Sequence, residues 1–355
     1  MYQFLFNITG NEILATLLTA AVPLVFILLF VLFAVWLERK VSAHMQDRLG
    51  PMRVGWHGVL QTIADFVKML QKEDIIATEA DRKLFTIAPV LVFTGSFAAY
   101  AAIPFSSKLI GSEAEVGIFY VLAISSVVVA GILMAGWSSN NKYSLLGAMR
   151  SAAQIVSYEI PTALVVLTMV MLTGTLSLDK MSQLQTAHFW NWNILGGPAF
   201  GLAKFLLIPF MLIGFLIIYI STLAEVNRTP FDIPEAESEL VAGYFTEYVG
   251  MKWAMFMLSE YANMFAVSAI VTILFFGGYQ SPLGYLGNSF DAQWLVPFEQ
   301  GFWFIAKGIF FVFVQMWLRW TLPRLRVDQL MTVCWKYLIP YAFVNLIIVG
   351  IISLL

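Results

Sequence analysis

The sequence predicts an all-α integral membrane protein, a single polytopic domain over residues 1–355 with eight transmembrane helices plus interfacial amphipathic helices. Three observations predict it. The 355 residues are 60% hydrophobic and 12% charged, about half the charge of a soluble domain. Several apolar runs approach twenty residues, the length that crosses a hydrocarbon core. The few charges are not spread evenly but gather in alternate loops, as in multi-pass proteins.

The spans read as roughly 12–36, 84–104, 116–136, 158–176, 201–221, 251–276, 299–320 and 335–354. An even number places both termini on one side. The odd-numbered loops carry Arg39, Lys40, Arg48, Arg53, Arg82, Lys142, Arg150, Arg228, Arg324 and other basic residues, whereas the even loops carry only Lys108 and Lys180. The odd loops are therefore expected on the cytoplasmic or matrix side and both termini outside. No cleaved signal is expected, because the first apolar run is too long and no basic residue precedes Arg39.

The first loop, ERKVSAHMQDRLGPMRVGWHG, turns at Gly50-Pro51. An amphipathic helix is expected over about 56–72. Trp56, Val59, Leu60, Ile63, Phe66, Val67 and Leu70 share one face, and His57, Gln61, Asp65, Lys68 and Lys72 share the other. Such a helix lies in the interface plane. In the third loop, Glu159 and Pro161 are placed in the first turn of the fourth span, where a carboxylate and a proline are both favoured. The even loops carry no pattern that points to chemistry.

The fifth loop, 225–248, is the densest charge in the chain. AEVNRTPFDIPEAESELVAGYFTEY holds Glu225, Asp232, Glu235, Glu237, Glu239 and Glu247 against one arginine, Arg228. Close carboxylates disfavour one another's ionised form, which suits groups that take up and release protons. They alternate with Phe231, Ile233, Leu240, Val241, Tyr244 and Phe245, so a folded, partly buried segment is expected rather than a solvated run. Asp232 is positioned to N-cap a short helix, with Pro234 in its first turn and Glu235 completing a capping box. Glu235 and Glu239 would then share a face. Two charges lie well inside spans, Glu260 in the sixth and Lys307 in the seventh, and a Glu260–Lys307 pair is one way to offset them.

Several classes are excluded. The one cysteine, Cys334, supports no disulfide framework, and His44, His57 and His188 form no ligand pair. No metal, haem or iron–sulfur centre is expected. No basic run or motif reads as a nucleic-acid surface. No internal repeat or pair of broken helices suggests a stand-alone transporter.

Three stretches together, ERKVSAHMQDRLGP, GAMRSAAQIVSYEIP and AEVNRTPFDIPEAESELVAGYFTEY, resemble the H-subunit family of bacterial NADH:quinone oxidoreductase, respiratory complex I, whose mitochondrial counterpart is NADH dehydrogenase subunit 1. The resemblance covers essentially all eight spans. It implies a subunit at the junction of membrane and peripheral arms that forms a quinone-access chamber and couples quinone reduction to proton translocation. No cofactor is implied on this chain. Quinone is the substrate, and FMN and the iron–sulfur clusters belong to partner subunits. The implied partners are the peripheral quinone-module subunits with the terminal cluster, and the small and antiporter-like membrane subunits. The implied location is the bacterial inner membrane, with the mitochondrial inner membrane as alternative. The resemblance assigns Glu38, Arg39, Arg48, Asp65, Lys68, Arg150, Phe231 and Glu235 to the quinone chamber. Glu159, Glu225, Asp232, Glu235, Glu237, Glu239, Glu247 and Glu260 are assigned to proton coupling. The chain alone would have no oxidoreductase activity. Two other readings stay open: the homologous membrane subunit of a proton-coupled hydrogenase, and a purely structural anchor for the peripheral arm.

Overall fold

The first helix, α1 (Glu12–Met45), starts where Asn11 turns the chain, its side-chain oxygen accepting from the Ile13 amide at 3.0 Å and the Leu14 amide at 3.4 Å. A computed structural model describes residues 10–354 apart from 113, 187, 198–201, 235–236 and 286–293; the side chains of 202, 203, 237 and 238 are also outside the description. In chain order the remaining helices are α2 (Gln61–Gln71), α3 (Arg82–Ala99), α4 (Gly117–Ser138), α5 (Lys142–Thr173), α6 (Leu178–Leu184), α7 (Leu202–Glu225), α8 (Glu237–Leu240), α9 (Gly250–Phe275), α10 (Val296–Thr321), α11 (Val327–Thr332) and α12 (Ile339–Ser353). A six-residue π-helical stretch, Val333–Leu338, joins α11 to α12 into one run. Among the described residues there are eight helices long and apolar enough to cross a membrane. The chain is an all-α integral membrane protein.

One helix is central. α9 is buried along most of its length and packs against α1, α3, α7 and α10. Its Phe265 sits in an aromatic knot with Phe26 and Phe30 of α1, Phe105, and Phe304 of α10. Lipid tails are as apolar as these side chains, so close packing holds the bundle rather than exclusion of water. Small residues permit it. A Cβ at Gly131 of α4 would lie 2.5 Å from Val92 of α3, and one at Gly136 would lie 2.3 Å from Ala148 of α5.

Four local expectations are corrected. α5 begins at Lys142, sixteen residues before the expected fourth span, so Arg150 and Glu159 are mid-helix and neither Glu159 nor Pro161 is in a first turn. The polar first half of α5 reads as loop by hydropathy but is covered by the acidic loop. Gly147 lets it approach so closely that a Cβ there would lie 2.8 Å from Gly243 Cα. Glu225 ends α7 instead of opening a loop. The interfacial helix is shorter than 56–72: Trp56–Gly58 is a 3-10 turn, and His57 has a left-handed φ of 52° that breaks the helix. Asp232 does not cap a helix, because the chain stays irregular to Pro234 and α8 starts at Glu237. Glu235, and with it the shared Glu235–Glu239 face, lies outside the described residues.

Candidate functional site

A cavity of about 370 Å³ opens between α1, α2, α9 and α10. Its walls are mostly apolar, with Val31, Leu32 and Val35 from α1, Phe66 and Met69 from α2, and Met257 and Leu258 from α9. Against them stand Glu38, Arg39, Asp65, Lys68, Arg228, Glu260, Tyr261 and Arg319.

The charges form a connected cluster. Arg228, 3% exposed, donates from Nη1 to both Glu38 oxygens at 3.1 and 3.2 Å and pairs through Nε with Glu260 at 2.7 Å. Tyr261 donates its hydroxyl to Glu38 at 2.8 Å, and its ring centroid lies 4.6 Å from the Arg228 guanidinium. Arg319 of α10 also donates to Glu38. Two carboxylates thus face two guanidiniums, which is how charges survive burial. Burial works against the Arg228 charge, but Glu260 and Glu38 outweigh it and hold its pKa above the ordinary arginine value.

The loop after α7 is folded to aim Arg228. Asn227 takes a left-handed φ of 54°, which reverses the chain. Gln154 of α5 donates from one nitrogen to the Ala224 carbonyl at 2.8 Å, Asn227 Oδ1 at 3.1 Å and the Phe231 carbonyl at 2.8 Å. Asn227 in turn donates to Ser151 at 3.1 Å. Phe231 is buried against Tyr158, with ring centroids 5.4 Å apart. These contacts bind the start of the acidic loop to one helix, so Arg228 has a defined direction.

A second, smaller cavity of about 70 Å³ lies on the other side of α9 and is lined by Ser125, Thr162, Thr222, Glu225 and Asn263 among others. Thr162 donates to Glu225 at 2.7 Å, and Ser125 donates to Glu159 at 3.2 Å. Glu260 lines the large cavity and Asn263 the small one, three residues apart on α9. The two cavities therefore share one helix as their wall.

The family model described as NADH dehydrogenase matches residues 18–350. The chain belongs to the NADH dehydrogenase family. It is 55% identical over 342 residues to a Chlorobium luteolum protein named as the H subunit of an NADH-quinone oxidoreductase, covering 95% of this chain and 89% of that one. A Brevibacillus brevis protein of the same name is 45% identical over 337 residues, covering 95% of this chain and 92% of its own length. Another of that name, from Dehalococcoides mccartyi, is 48% identical over 91% of this chain and 82% of its own length.

Within this family member, the residues singled out from sequence separate into groups. Glu38, Arg39, Asp65, Lys68 and Glu260 come together at the large cavity; Glu225 lines the small one, and Glu159 is tied to it only through Ser125 of its wall. Arg150 instead meets Glu239 at 2.7 Å, and Arg324 meets the same carboxylate at 3.1 Å, all at the surface. The hydrogen bond from Arg150 leads in holding Glu239 below the usual carboxylate range. Glu247 accepts from Asn141 at 2.7 Å, at the start of α5. Asp232 is half-buried in the bend after Arg228, and Glu237 opens α8. Arg48 and Phe231 are not on the large cavity's wall.

The Glu260–Lys307 pair does not form. Glu260 is taken by Arg228, and Lys307 donates to the carbonyls of Phe276, Gly278 and Gln280 at 2.7, 2.9 and 2.6 Å. Those acceptors follow the far end of α9, sixteen or more residues from Glu260, about 24 Å at helical rise. Sequence reasoning missed Arg319 and Tyr261. Arg319 had a signal: it sits one position before the expected end of the seventh span, with no carboxylate near it in sequence. Tyr261 had none beyond following Glu260.

Asp65 clamps α2 to α1. It accepts from Arg39 at 2.5 Å and pairs with Lys68 at 3.3 Å. Partial burial raises its pKa, but Arg39 and Lys68 overcome that and leave it below the ordinary aspartate value. A depressed carboxylate gives stability that is present above its unfolded pKa and is lost as pH falls through the folded one. Lowering pH from 7 to about 5 should therefore leave α2 seated, whereas Asp65→Asn should loosen it at every pH. Spin labels on α1 and α2 would check this; a separation that grows between pH 7 and pH 5 in the parent would contradict it.

Proposed function

We propose that this chain is the membrane subunit of a proton-pumping NADH:quinone oxidoreductase, forming the quinone-access chamber and passing the effect of quinone reduction towards proton-conducting partners. The observation that carries the reading is the sharing of α9 by the two cavities, one apolar with a charged floor and one lined by a carboxylate and hydroxyls. The apolar walls suit a hydrophobic tail, and the Arg228–Arg319 side suits negative charge that develops on a reduced head group. Full reduction adds two electrons and two protons to the quinone. Electrons come from the iron–sulfur cluster of a peripheral partner; FMN and all clusters belong to partner subunits. Glu38 and Glu260 respond to the added charge, because each shares Arg228 with the other and a negative group near Arg228 weakens its hold on both. Glu260 relays that change across α9 to Glu225 and Glu159, and from there to small and antiporter-like membrane subunits. Arg39, Asp65 and Lys68 flank the way in. The location is the bacterial inner membrane, with both termini on the outer side.

The test is Glu38→Gln and Glu260→Gln in the assembled complex, with retention of the peripheral arm checked on a native gel. Inhibitor-sensitive quinone reduction should fall on the order of a hundredfold with the arm still bound. Unchanged reduction and pumping in both variants would remove the assigned role. Loss of the arm instead of turnover would leave the chain as an anchor.

A further inference from the structure

Two further cavities, along the first half of α1, take no part in the charged cluster. One, of about 280 Å³, lies between α1, the chain after α3 and the start of α10, with Phe26, Ile103, Leu109, Phe298 and Phe302 on its walls. The other, of about 270 Å³, lies between α1 and the end of α3, with Thr16, Ala20, Phe97 and Ala101 on its walls. Pro23 of α1 and Gly111 line both, so the two are arms of one forked cleft on adjoining faces of α1. Thr16 to Phe26 spans about 15 Å at helical rise, half of a hydrocarbon core and so the depth of one leaflet.

A tied loop joins the arms. Ser112 donates its amide to the Ala101 carbonyl at 2.9 Å, Leu109 its amide to the Ser106 carbonyl at 3.2 Å, and Ser107 its hydroxyl to Gln300 of α10 at 2.8 Å. Gly111 permits the close approach, because a Cβ there would lie 2.7 Å from the Ala101 carbonyl oxygen. The loop carries Lys108, which is exposed and makes no ion pair among the described residues. Its neighbours line the cleft on both sides: Ser106 and Leu109 in one arm, Gly111 and Ser112 in the other. Acids at this end of the bundle include Glu12, one turn beyond Thr16, Glu115, and Glu299 in the first turn of α10.

We propose that the forked cleft binds one phospholipid with an amine headgroup, phosphatidylethanolamine, with an acyl chain in each arm and the phosphate on Lys108. The proposal needs only the membrane-spanning fold, not the quinone reading. Three observations select this occupant. Two apolar arms of like volume, joined by a loop with one free cation, match two chains joined at one phosphate. A partner's helix does not fit, since one turn of a helix about 10 Å across displaces roughly 400 Å³, more than either arm holds. The acids at this end disfavour a headgroup of purely negative charge and suit an ammonium beside the phosphate.

The test uses the complete complex in vesicles of phosphatidylethanolamine and phosphatidylglycerol, with a trace of one or the other carrying a diazirine on its acyl chains. Irradiation should label residues 97–101 and 297–305 above the lipid-facing 341–351 of α12, and more strongly with the ethanolamine probe. Lys108→Gln should lower both labels about fivefold, the worth of one lysine beside lipid phosphate, and Lys108→Arg should keep them. Gly301→Leu tests the fork, because a Cβ at Gly301 meets nothing within 4 Å and a larger side chain enters one arm. Both labels should fall together, since a lipid expelled from one arm leaves the other. Loss at 297–305 alone would mean independent tails. Labels no stronger than on α12 would mean an ordinary lipid shell, equal labels from the two probes no headgroup site, and no label a partner chain over the cleft. Each of these would overturn the proposal and leave quinone reduction by the same vesicles untouched.

Discussion

Replacing Arg228 by Met should destabilise this chain by about 3–5 kcal/mol, a large effect for a single substitution. The cause is not loss of attraction alone. Arg228 is the shared partner of Glu38 and Glu260; Arg228 and Glu38 are buried, and Glu260 keeps only 12% of its side chain exposed. Without it Glu260 has no cation among its ion pairs, whereas Glu38 keeps Arg319. A buried ion pair is weak evidence for net stability, yet removing one member leaves an uncompensated charge. The same logic predicts repair: Arg228→Met combined with Glu260→Gln should recover much of the loss, because the stranded charge is gone. The sole cysteine provides the readout. Cys334 is fully buried, with its thiol donating to the Ser157 carbonyl at 3.1 Å, so a maleimide labels this chain when the bundle opens. Labelling on heating, read from this subunit's gel band, should begin at a lower temperature in Arg228→Met and return towards the parent in the double variant. Equal onset in all three would mean that the carboxylates do not need Arg228.

What was legible in the sequence follows from which interactions are local. The eight spans are visible because each is an apolar run, a property of consecutive residues. The first half of α5 is not, because Gln154, Ser151 and Gly147 are polar or small for the sake of the acidic loop that folds over them. Glu260 could be singled out as a charge inside an apolar run, whereas Glu38, Arg39 and Asp65 were assigned to a site through the family resemblance; all four meet at one cavity. Their pairing was not visible. Arg228 comes to Glu38 across 190 positions, and Arg319 across 281. The six carboxylates looked like one cluster because they are close in sequence. In space Glu225 points between α5 and α7, Glu239 faces two arginines at the surface, and Glu247 meets the start of α5.

Lys307 carries the second large prediction, at the C-terminal end of α9. Its three donors are matched by three carbonyls, and its ammonium lies 4.3 Å from the Trp192 ring centroid. The carbonyls belong to the turn that ends α9, where Gly277 and Gly278 take left-handed φ and the helix can no longer satisfy its own acceptors. Trp192 packs so closely on Gly277 that a Cβ there would lie 2.4 Å from the indole nitrogen. Gln185 fixes the same place, its side-chain oxygen accepting from the Gly277 amide at 2.9 Å and the Asn193 amide at 3.1 Å. Lys307→Met should thus cost on the order of 4 kcal/mol, since three acceptors lose a charged donor that water reaches poorly. Lys307→Arg should not repair it, because a planar fork does not match three carbonyls arranged around a point charge. A heating series on Lys307→Met, Lys307→Arg and the parent would decide this. If Met matches the parent, water already satisfies these carbonyls. If Arg alone rescues, charge matters and the three-point geometry does not. If both fall, α9 is held near its middle and at its C-terminal end by two cations of different shape: a guanidinium that bridges two carboxylates, and an ammonium that gathers three carbonyls.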